Sequence, residues 1–295
     1  MYKAGAAIHR NLYKLNMLRK TRLDVPVIGV GNLSFGGSGK TLVVSRIAEK
    51  LMADGKKVGI VCRSYGALAG PHVLVDGVAA DPAGVGDEAA GYAERFAVAS
   101  GRDKTAAARR LIEAAPALDV ILVDDAFQHH RLHQDLRILI WPKRGAVLRD
   151  FRSAEREAEI LLVPNGERSP RADLDTVYFV KEILGILDLK SEKHILVVGG
   201  LGPETDFFEH VGRYLSGAYR TLRFADHVDY RRGDVQAKLF ESSRGCGAIV
   251  TTSKDHVKLK PLALDLPPIY VVRAGIKFLT NETLFWERIE AAMAK

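Results

Sequence analysis

The chain contains 295 residues, of which 47% are hydrophobic and 27% charged, and its formal net charge is +7 at pH 7. These values are typical of a folded protein of one or two domains, and they exclude extensive disorder. The two cysteines, Cys62 and Cys246, are too few for a disulfide framework and lack the paired spacing of a metal site, so we expect reduced thiols. No apolar run approaches the roughly 18 residues that a membrane-spanning helix needs.

The first 22 residues combine apolar side chains at helical spacing with many basic ones. Ile8, Leu12 and Leu15 recur at the spacing of one helix face. The basic residues around them are Lys3, Arg10, Lys14, Arg19, Lys20 and Arg22. Such a helix either lies on an anionic membrane surface with its apolar side toward the lipid, or packs on the protein with its basic side in water. Both interpretations stay open at this point.

The positive net charge predicts an anionic partner, either a lipid surface or an anionic substrate. Basic and aromatic residues are not interleaved in the way that is typical of nucleic-acid-binding proteins, so we expect no nucleic-acid partner. We expect the protein to be a monomer.

After this segment, the chain alternates between buried strands and amphipathic helices. Residues 25–32 are a short apolar run that predicts a strand, residues 40–53 a helix and residues 57–62 a second strand, which together form the βαβ unit of a parallel sheet. Further strands are predicted at residues 120–123, 136–141, 160–163, 194–198, 219–224, 247–251 and 268–273. Further helices are predicted at residues 87–99, 103–115, 204–215, 232–243 and 279–294.

A polar stretch rich in turn residues separates two such series. Residues 164–175 read as a loop, residues 176–184 as an extended connector, and a new βα series begins near residue 194. We therefore place a domain boundary near residue 185, with one domain over residues 1–185 and a second over residues 186–295.

A glycine-rich loop follows the first strand. Residues 34–41 nearly match the phosphate-loop pattern G-x-x-x-x-G-K-[ST], with Ser34 where the strict pattern has glycine. The small residues Gly36, Gly37, Ser38 and Gly39 let backbone amides face the phosphates of a nucleotide. Lys40 is expected to reach the β- and γ-phosphates, and the Thr41 hydroxyl to bind Mg²⁺. The loop predicts a nucleoside triphosphate site, with ATP as the expected nucleotide.

Two pairs of acidic residues are candidates for the chemistry beside this loop. Asp124 and Asp125 follow a buried strand, where a carboxylate can lie close to Mg²⁺, directly or through water. Asp87 and Glu88 open a predicted helix, and on spacing alone they are better explained as helix-capping acids. His129 and His133 lie four residues apart but without a third ligand or an adjacent glutamate, so we reject a zinc site.

Taken together, these segments resemble the tetraacyldisaccharide 4′-kinase family of bacterial lipid A biosynthesis. The segments that carry the resemblance run in the family's order and span most of the chain: PVIGVGNLSFGGSGKT (26–41), CRSYG (62–66), GDEA (86–89), DDAFQHHRLHQDL (124–136), FADHVDY (224–230) and TTSKDHVKL (251–259). The resemblance implies a P-loop kinase core with a smaller C-terminal α/β lobe that closes the active-site cleft. It implies an enzyme at the cytoplasmic face of the inner membrane that uses ATP and Mg²⁺ to phosphorylate the 4′-hydroxyl of a tetraacylated glucosamine disaccharide 1-phosphate.

The resemblance also implies roles for individual residues. Asp87 is similar to the family's catalytic base, and His227 to the partner that orients it or adjusts its pKa. The residues that the resemblance assigns to the Mg²⁺ neighbourhood are Thr41, Glu88, Asp124, Asp125 and Gln128. Arg63 and Tyr65 lie in a segment that resembles the family's disaccharide-facing loop.

The chain departs from the family's pattern at Ser64, Ala89 and Ala126, and more extensively in one segment. The family carries a longer loop ending L-R-E-P, whereas residues 144–157 here are shorter, and Leu148, Arg149 and Asp150 stand where its end is expected.

Two alternatives to a lipid-sugar kinase remain open from the sequence. One is a P-loop kinase or ligase that acts on a soluble metabolite. The other is a nucleotide-switch ATPase whose output is a protein partner and which needs no small acceptor.

Overall fold

The fold is described from a computed structural model covering residues 9–15, 17–35, 37–63, 72–74, 85–170, 175–186, 189, 194–201, 206–215, 218–262 and 264–294. Its strands are β1 (Val27–Asn32), β2 (Val58–Cys62), β3 (His72–Leu74), β4 (Ala97–Ser100), β5 (Val120–Asp124), β6 (Leu136–Ile140), β7 (Ile160–Pro164), β8 (Asp175–Ile186), β9 (Ile195–Gly200), β10 (Tyr219–Phe224), β11 (Ala248–Thr252) and β12 (Ile269–Phe278). Its helices are α1 (Lys40–Ala53), α2 (Asp87–Ala93), α3 (Lys104–Ala114), α4 (Phe207–Tyr214), α5 (Gly233–Ser243), α6 (Ser253–Leu259) and α7 (Glu282–Met293). A 3₁₀ helix covers Arg152–Glu157, and residues 9–14 are helical.

The strands form one mostly parallel sheet in the order β10-β9-β11-β12-β8-β7-β6-β1-β5-β2-β4-β3. Strand β1 lies between β5 and β6, parallel to both, and every one of its residues is buried. In this register Val30 is paired with Asp124, so the loops after β1 and β5 leave the same edge of the sheet. Adjacent loops at the carboxyl edge are the usual place for a ligand site in such a sheet.

Helices cover both faces of the sheet. On one face α1, α2 and α7 pack on β1, β2 and neighbouring strands, with Ile47, Tyr92 and Phe285 in the core. On the other face α3 packs on β2 and β4, with Leu111 fully buried. The apolar strand runs seen in the sequence are therefore explained by burial on both faces.

The sheet runs without interruption across the predicted domain boundary. Strand β12 pairs antiparallel with β8, and β8 pairs parallel with β7. Helix α7 comes from the end of the chain but packs against β1, β6 and β8. The strands on the two sides of residue 185 belong to one sheet. The division into two domains there stays a prediction.

Most predicted elements are confirmed to within a few residues, two are corrected, and helix α6 was missed. The helix predicted over residues 87–99 ends at Ala93, because Ala97–Ser100 is strand β4, which pairs with β2 and β3. The connector predicted over residues 176–184 is the long strand β8. Helix α6 was not predicted, and it begins where the Thr252 hydroxyl accepts a hydrogen bond from the Asp255 amide.

A substitution at Gly31 tests how closely β1 packs. A Cβ there would lie 2.4 Å from Phe127 Cβ and 2.6 Å from the Phe127 backbone nitrogen. Because backbone cannot give way like a flexible side chain, we expect Gly31→Ala to lower the free energy of unfolding by about 1–3 kcal/mol. Urea unfolding would measure it against Gly233→Ala, where nothing lies within 4 Å of the added carbon. Equal midpoints for the two variants would contradict this packing.

Candidate active site

The glycine-rich loop joins the central strand β1 to the amino end of α1. Gly39 has a φ of +93° and precedes the first helical residue, Lys40, and a Cβ at Gly39 would lie 3.2 Å from Lys181 Cε. The first turn of α1 contains no acidic residue. Its positive amino end is therefore not neutralised by a side chain of its own, which suits an anionic ligand.

Asn32, the last residue of β1, is hydrogen-bonded to several side chains of the glycine-rich loop and its surroundings. Its Nδ2 donates to Ser38 Oγ at 2.9 Å and to Ser34 Oγ at 3.4 Å. Its Oδ1 accepts from Lys40 Nζ at 3.4 Å and from Arg149 Nη2 at 2.5 Å. The serine at position 34 thus has a defined place in the loop, since it is buried and hydrogen-bonded.

Asp124 lies directly beside the start of α1. Its Oδ2 accepts hydrogen bonds from Thr41 Oγ1 at 3.3 Å and from the Tyr92 hydroxyl at 2.8 Å. Its Oδ1 is buried and has no hydrogen-bond partner among the described residues. A buried carboxylate oxygen without a donor is costly unless a cation completes it.

Asp125 lies among cations. Arg149 donates to both of its carboxylate oxygens, with the Nη1–Oδ2 distance at 3.0 Å, and Lys40 Nζ lies 3.6 Å from Oδ1. Burial alone would raise the pKa of Asp125, but Arg149, Lys104 and Lys40 outweigh it and hold that pKa far below its usual value. Asp125 therefore stays ionised and is the counter-ion of Arg149 and Lys40.

The turn that follows β5 is fixed by a buried lysine. Lys104 opens α3, and its Nζ donates to the backbone carbonyls of Asp124 at 2.5 Å and Asp125 at 2.6 Å. Asp125 has a φ of +55°, in the left-handed region that most side chains avoid. The two bonds from Lys104 hold the backbone in this conformation.

Glu88 faces the same cluster from α2. Burial and the neighbouring Asp124 carboxylate raise the pKa of Glu88 to about 7. The unpartnered oxygen of Asp124, the Thr41 hydroxyl and this crowding of carboxylates all fit a divalent cation with oxygen ligands. Among the described residues no three His, Cys, Asp or Glu side chains are spaced to hold a metal ion by themselves. The groups that would contribute to Mg²⁺ binding here are therefore a hydroxyl and two carboxylates, those of Thr41, Asp124 and Glu88.

Asp87 and His227 come together from distant parts of the chain. Asp87 opens α2, His227 lies in the loop after β10 with a φ of +58°, and His227 Nδ1 is 3.1 Å from Asp87 Oδ2. Lys258 Nζ of α6 donates to the same oxygen at 3.1 Å. Burial would raise the pKa of Asp87, but the His227 hydrogen bond and the Lys258 charge outweigh it and lower that pKa. Asp87 is therefore a carboxylate at neutral pH.

The roles of the other predicted site residues stay predictions. Gln128 lies beside the loop, where its Nε2 donates to the Asn32 carbonyl at 2.9 Å, and its metal role stays a prediction. Arg63 follows β2 and is exposed, and its substrate role also stays a prediction. Gly36 and Tyr65 lie outside the described residues.

Four residues of this cluster were not predicted as site residues. Arg149 was noted only as part of a shortened segment, and Lys258 lies within the TTSKDHVKL motif without a role assigned to it. Asn32 lies within the segment 26–41 that carries the resemblance but without a role assigned to it, and Lys104 lies in no quoted motif. The contacts of Lys104, Arg149 and Lys258 join residues far apart in sequence, which local patterns do not report.

The family and the fold are settled by comparison with known proteins. The sequence model of LpxK, described as tetraacyldisaccharide-1-P 4′-kinase, matches residues 1–294. The chain belongs to this kinase family. The resemblance and the predicted P-loop α/β fold are thereby confirmed.

Individual members of the kinase family are similar along nearly their whole length. A tetraacyldisaccharide 4′-kinase from Bdellovibrio bacteriovorus is 32% identical over 90% of this chain and 88% of its own length. One from Anaeromyxobacter dehalogenans is 28% identical over 99% of this chain and 88% of its own length. The crystal structure of LpxK from Aquifex aeolicus in complex with ATP superposes with a TM-score of 0.81 at 25% identity, covering 99% of this chain and 96% of that one.

The pKa of Glu88 makes stability depend on pH. Since its folded-state pKa is raised from 4.5 to about 7, the wild type loses stability as pH rises between these values, and the loss levels off above about 7. We expect Glu88→Gln to gain stability relative to the wild type over that interval. Urea unfolding of the metal-free protein at pH 5 to 8 would measure it, with the exposed Glu94→Gln as the matched control. If the difference in free energy of unfolding between Glu88→Gln and the wild type did not change with pH, the raised pKa of Glu88 would be contradicted.

Proposed function

We propose that this protein transfers the γ-phosphoryl group of ATP to the 4′-hydroxyl of a tetraacylated glucosamine disaccharide 1-phosphate. Family membership supports the reaction and the substrate class. The observation that carries the proposal is the placement of the Asp87–His227 pair next to Glu88, which itself faces Asp124 and Lys40. A proton acceptor and a phosphate-binding loop thus meet at one edge of the sheet.

The triphosphate is held by positive groups that converge from three segments. Backbone amides of the loop and the amino end of α1 face the phosphates, Lys40 neutralises the β- and γ-phosphate oxygens, and Arg149 lies beside Lys40 on Asp125. When bound, Mg²⁺ supplies charge neutralisation on the phosphate oxygens, and Thr41, Asp124 and Glu88 are the residues that would hold it. Positioning and electrostatics of this kind account for most of the rate enhancement in phosphoryl transfer.

Asp87 is the residue that accepts the proton of the attacking hydroxyl. Its Oδ2 is occupied by His227 and Lys258, whereas its Oδ1 has no hydrogen-bond or ion-pair partner among the described residues. The acceptor hydroxyl binds at Oδ1, its oxygen forms the new bond to the γ-phosphorus, and the bond from that phosphorus to the β-phosphate bridging oxygen breaks. The proton passes to Asp87, and ADP leaves.

The test of this function is transfer of label from γ-labelled ATP to a panel of lipid A precursors, with the labelled position located on the sugar. We expect label on the 4′-oxygen of the tetraacylated disaccharide. Label on a soluble metabolite alone, or hydrolysis without an acceptor, would contradict the proposal in favour of one of the two alternative enzyme classes.

Loss of the Asp87 carboxylate should stop turnover but not nucleotide binding. We expect Asp87→Asn to reduce kcat by about 100- to 10,000-fold, the usual range for a lost general base, with an unchanged Kd for MgATP. The control is Asp229→Asn in the FADHVDY segment that also carries His227, because within the described part of the chain the Asp229 side chain bonds only to Arg231. Near-normal turnover in Asp87→Asn would end the assignment of the base.

We further propose that the enzyme works on the membrane surface. None of the helices in the described parts of the chain is long and apolar enough to cross a bilayer. The residues after position 14 support surface binding, because Leu15 is 71% and Met17 68% exposed and Lys14 and Lys20 are exposed beside them. Exposed apolar side chains flanked by basic ones are typical of segments that rest on anionic lipid. The proposed location is the cytoplasmic face of the bacterial inner membrane.

Earlier in the same segment the helix is attached to the protein. Arg10 is buried and pairs with Asp150 at 2.9 Å and with Glu157 at 3.1 Å, and Tyr13 is buried as well. The two interpretations left open by the sequence are therefore compatible, since one part of the segment packs on the protein and the next is exposed to solvent.

Removing the exposed apolar side chains should weaken membrane binding without unfolding the protein. We expect Leu15→Ser/Met17→Ser to reduce co-sedimentation with vesicles that contain phosphatidylglycerol by about 10-fold or more, because each buried apolar side chain contributes roughly 1.5–3 kcal/mol. Met52→Ser/Leu279→Ser replaces two residues that are 45% and 44% exposed elsewhere and serves as the control. Equal binding by both double variants would argue against this membrane contact.

A further inference from the structure

Lys258 lies between Asp87 and the buried residue Asp255, and it contacts both. Its Nζ donates to Asp87 Oδ2 at 3.1 Å and to the Val228 carbonyl at 3.2 Å, and its side chain is only 11% exposed. Val228 follows His227 directly in the chain. One ammonium group therefore contacts both the proposed base and the backbone of the loop that carries the base's partner.

The lysine is itself held in place by a fully buried acid. Asp255 is 0% exposed, and its Oδ2 accepts from the Gly200 amide at 3.0 Å and from Thr252 Oγ1 at 2.8 Å. Its Oδ1 has no hydrogen-bond partner among the described residues, and the nearest cation is Lys258 Nζ at 3.6 Å. Because a buried carboxylate needs a counter-ion, Asp255 fixes where the ammonium group lies.

The arrangement determines how Asp87 is oriented. Of the residues that the structure describes, the charged or titratable groups that face it are His227 from the loop after β10, Lys254 and Lys258 from α6, and Tyr230 beneath Lys258. His227 and Lys258 both bind Oδ2, which orients the other oxygen away from them. Without Lys258, the carboxylate would keep only one short contact and could rotate about its Cβ–Cγ bond.

We propose that Lys258 is a positioning residue for the phosphoryl transfer: anchored on Asp255, it holds Oδ2 of Asp87 and the backbone beside His227 so that Oδ1 faces the acceptor hydroxyl. This inference rests on the proposed function, because Asp87 needs an orientation only if it accepts a proton. Lys258 contacts neither nucleotide nor acceptor in this scheme. Its loss should therefore lower kcat while the binding of MgATP and the KM for the acceptor stay unchanged.

The test compares Lys258→Met with Lys258→Arg, which keeps the charge, and with the exposed Lys260→Met of the same region. We expect kcat to fall about 100-fold in Lys258→Met, the size of effect that a small misplacement of a reacting group produces. Lys258→Arg should recover part of the activity, and Lys260→Met should behave as wild type. A normal kcat in Lys258→Met, or a loss that appears in KM or in the Kd for MgATP, would overturn the inference.

A second variant and a second measurement separate this role from simple misfolding. Asp255→Asn/Lys258→Met removes both partners of the buried pair, so the fold should be kept while the contact to Asp87 is lost, and kcat should be as low as in Lys258→Met. In ¹⁵N-histidine-labelled protein without nucleotide, the ring signal of His227 should change in Lys258→Met and not in Lys260→Met. An unchanged ring signal of His227 in Lys258→Met would overturn the inference, whether or not a lipid acceptor is phosphorylated. Absence of phosphoryl transfer by the wild type would instead count against the proposed function alone.

Discussion

The structure of the active site depends on the balance of charge around Asp124 and Asp125. Asp124 ends strand β5 next to β1 and Asp125 follows it, at the edge where the phosphate loop begins. Lys40, Lys104 and Arg149 offset them in a largely buried setting, where unpaired charges would be costly. Each lysine and arginine comes from a different segment, so the charges also fix how those segments meet. A triphosphate and its metal ion enter a cluster whose charges are already nearly paired.

The sheet order explains why the two functional pairs lie side by side. Parallel pairing of β1 with β5 places the phosphate loop next to Asp124, and packing of α2 against α6 brings Asp87 next to Lys258. The antiparallel pair β8–β12 joins the strands of the last third of the chain to the same sheet. Since α2 carries both Asp87 and Glu88, one helix amino end connects the proton acceptor to the carboxylates around Asp124.

The sequence was informative where function depends on consecutive residues. The phosphate loop, the position of Asp124 and Asp125 after a strand, and most strands follow from local patterns. The predicted roles of Asp87 and His227 needed the family resemblance, because spacing alone favoured a helix cap at Asp87 and indicated no role for His227. Strand β4 was predicted as helix because AVAS has no strong preference, and its pairing with β2 and β3 decides its conformation. Lys104, Arg149 and Lys258 were missed as site residues because they act through partners 20 to 171 residues away.

The central claim is that Lys40, at the positive end of α1, binds the phosphates of a nucleotide. Isothermal titration of MgATP into wild type, Lys40→Met and Lys50→Met tests it most directly, since Lys50 lies in the last turn of the same helix and pairs with Asp54. The account predicts that Lys40→Met binds MgATP about 10- to 100-fold more weakly, as expected for a lost charge-assisted hydrogen bond, while Lys50→Met binds as wild type does. Equal affinity in all three proteins would contradict it.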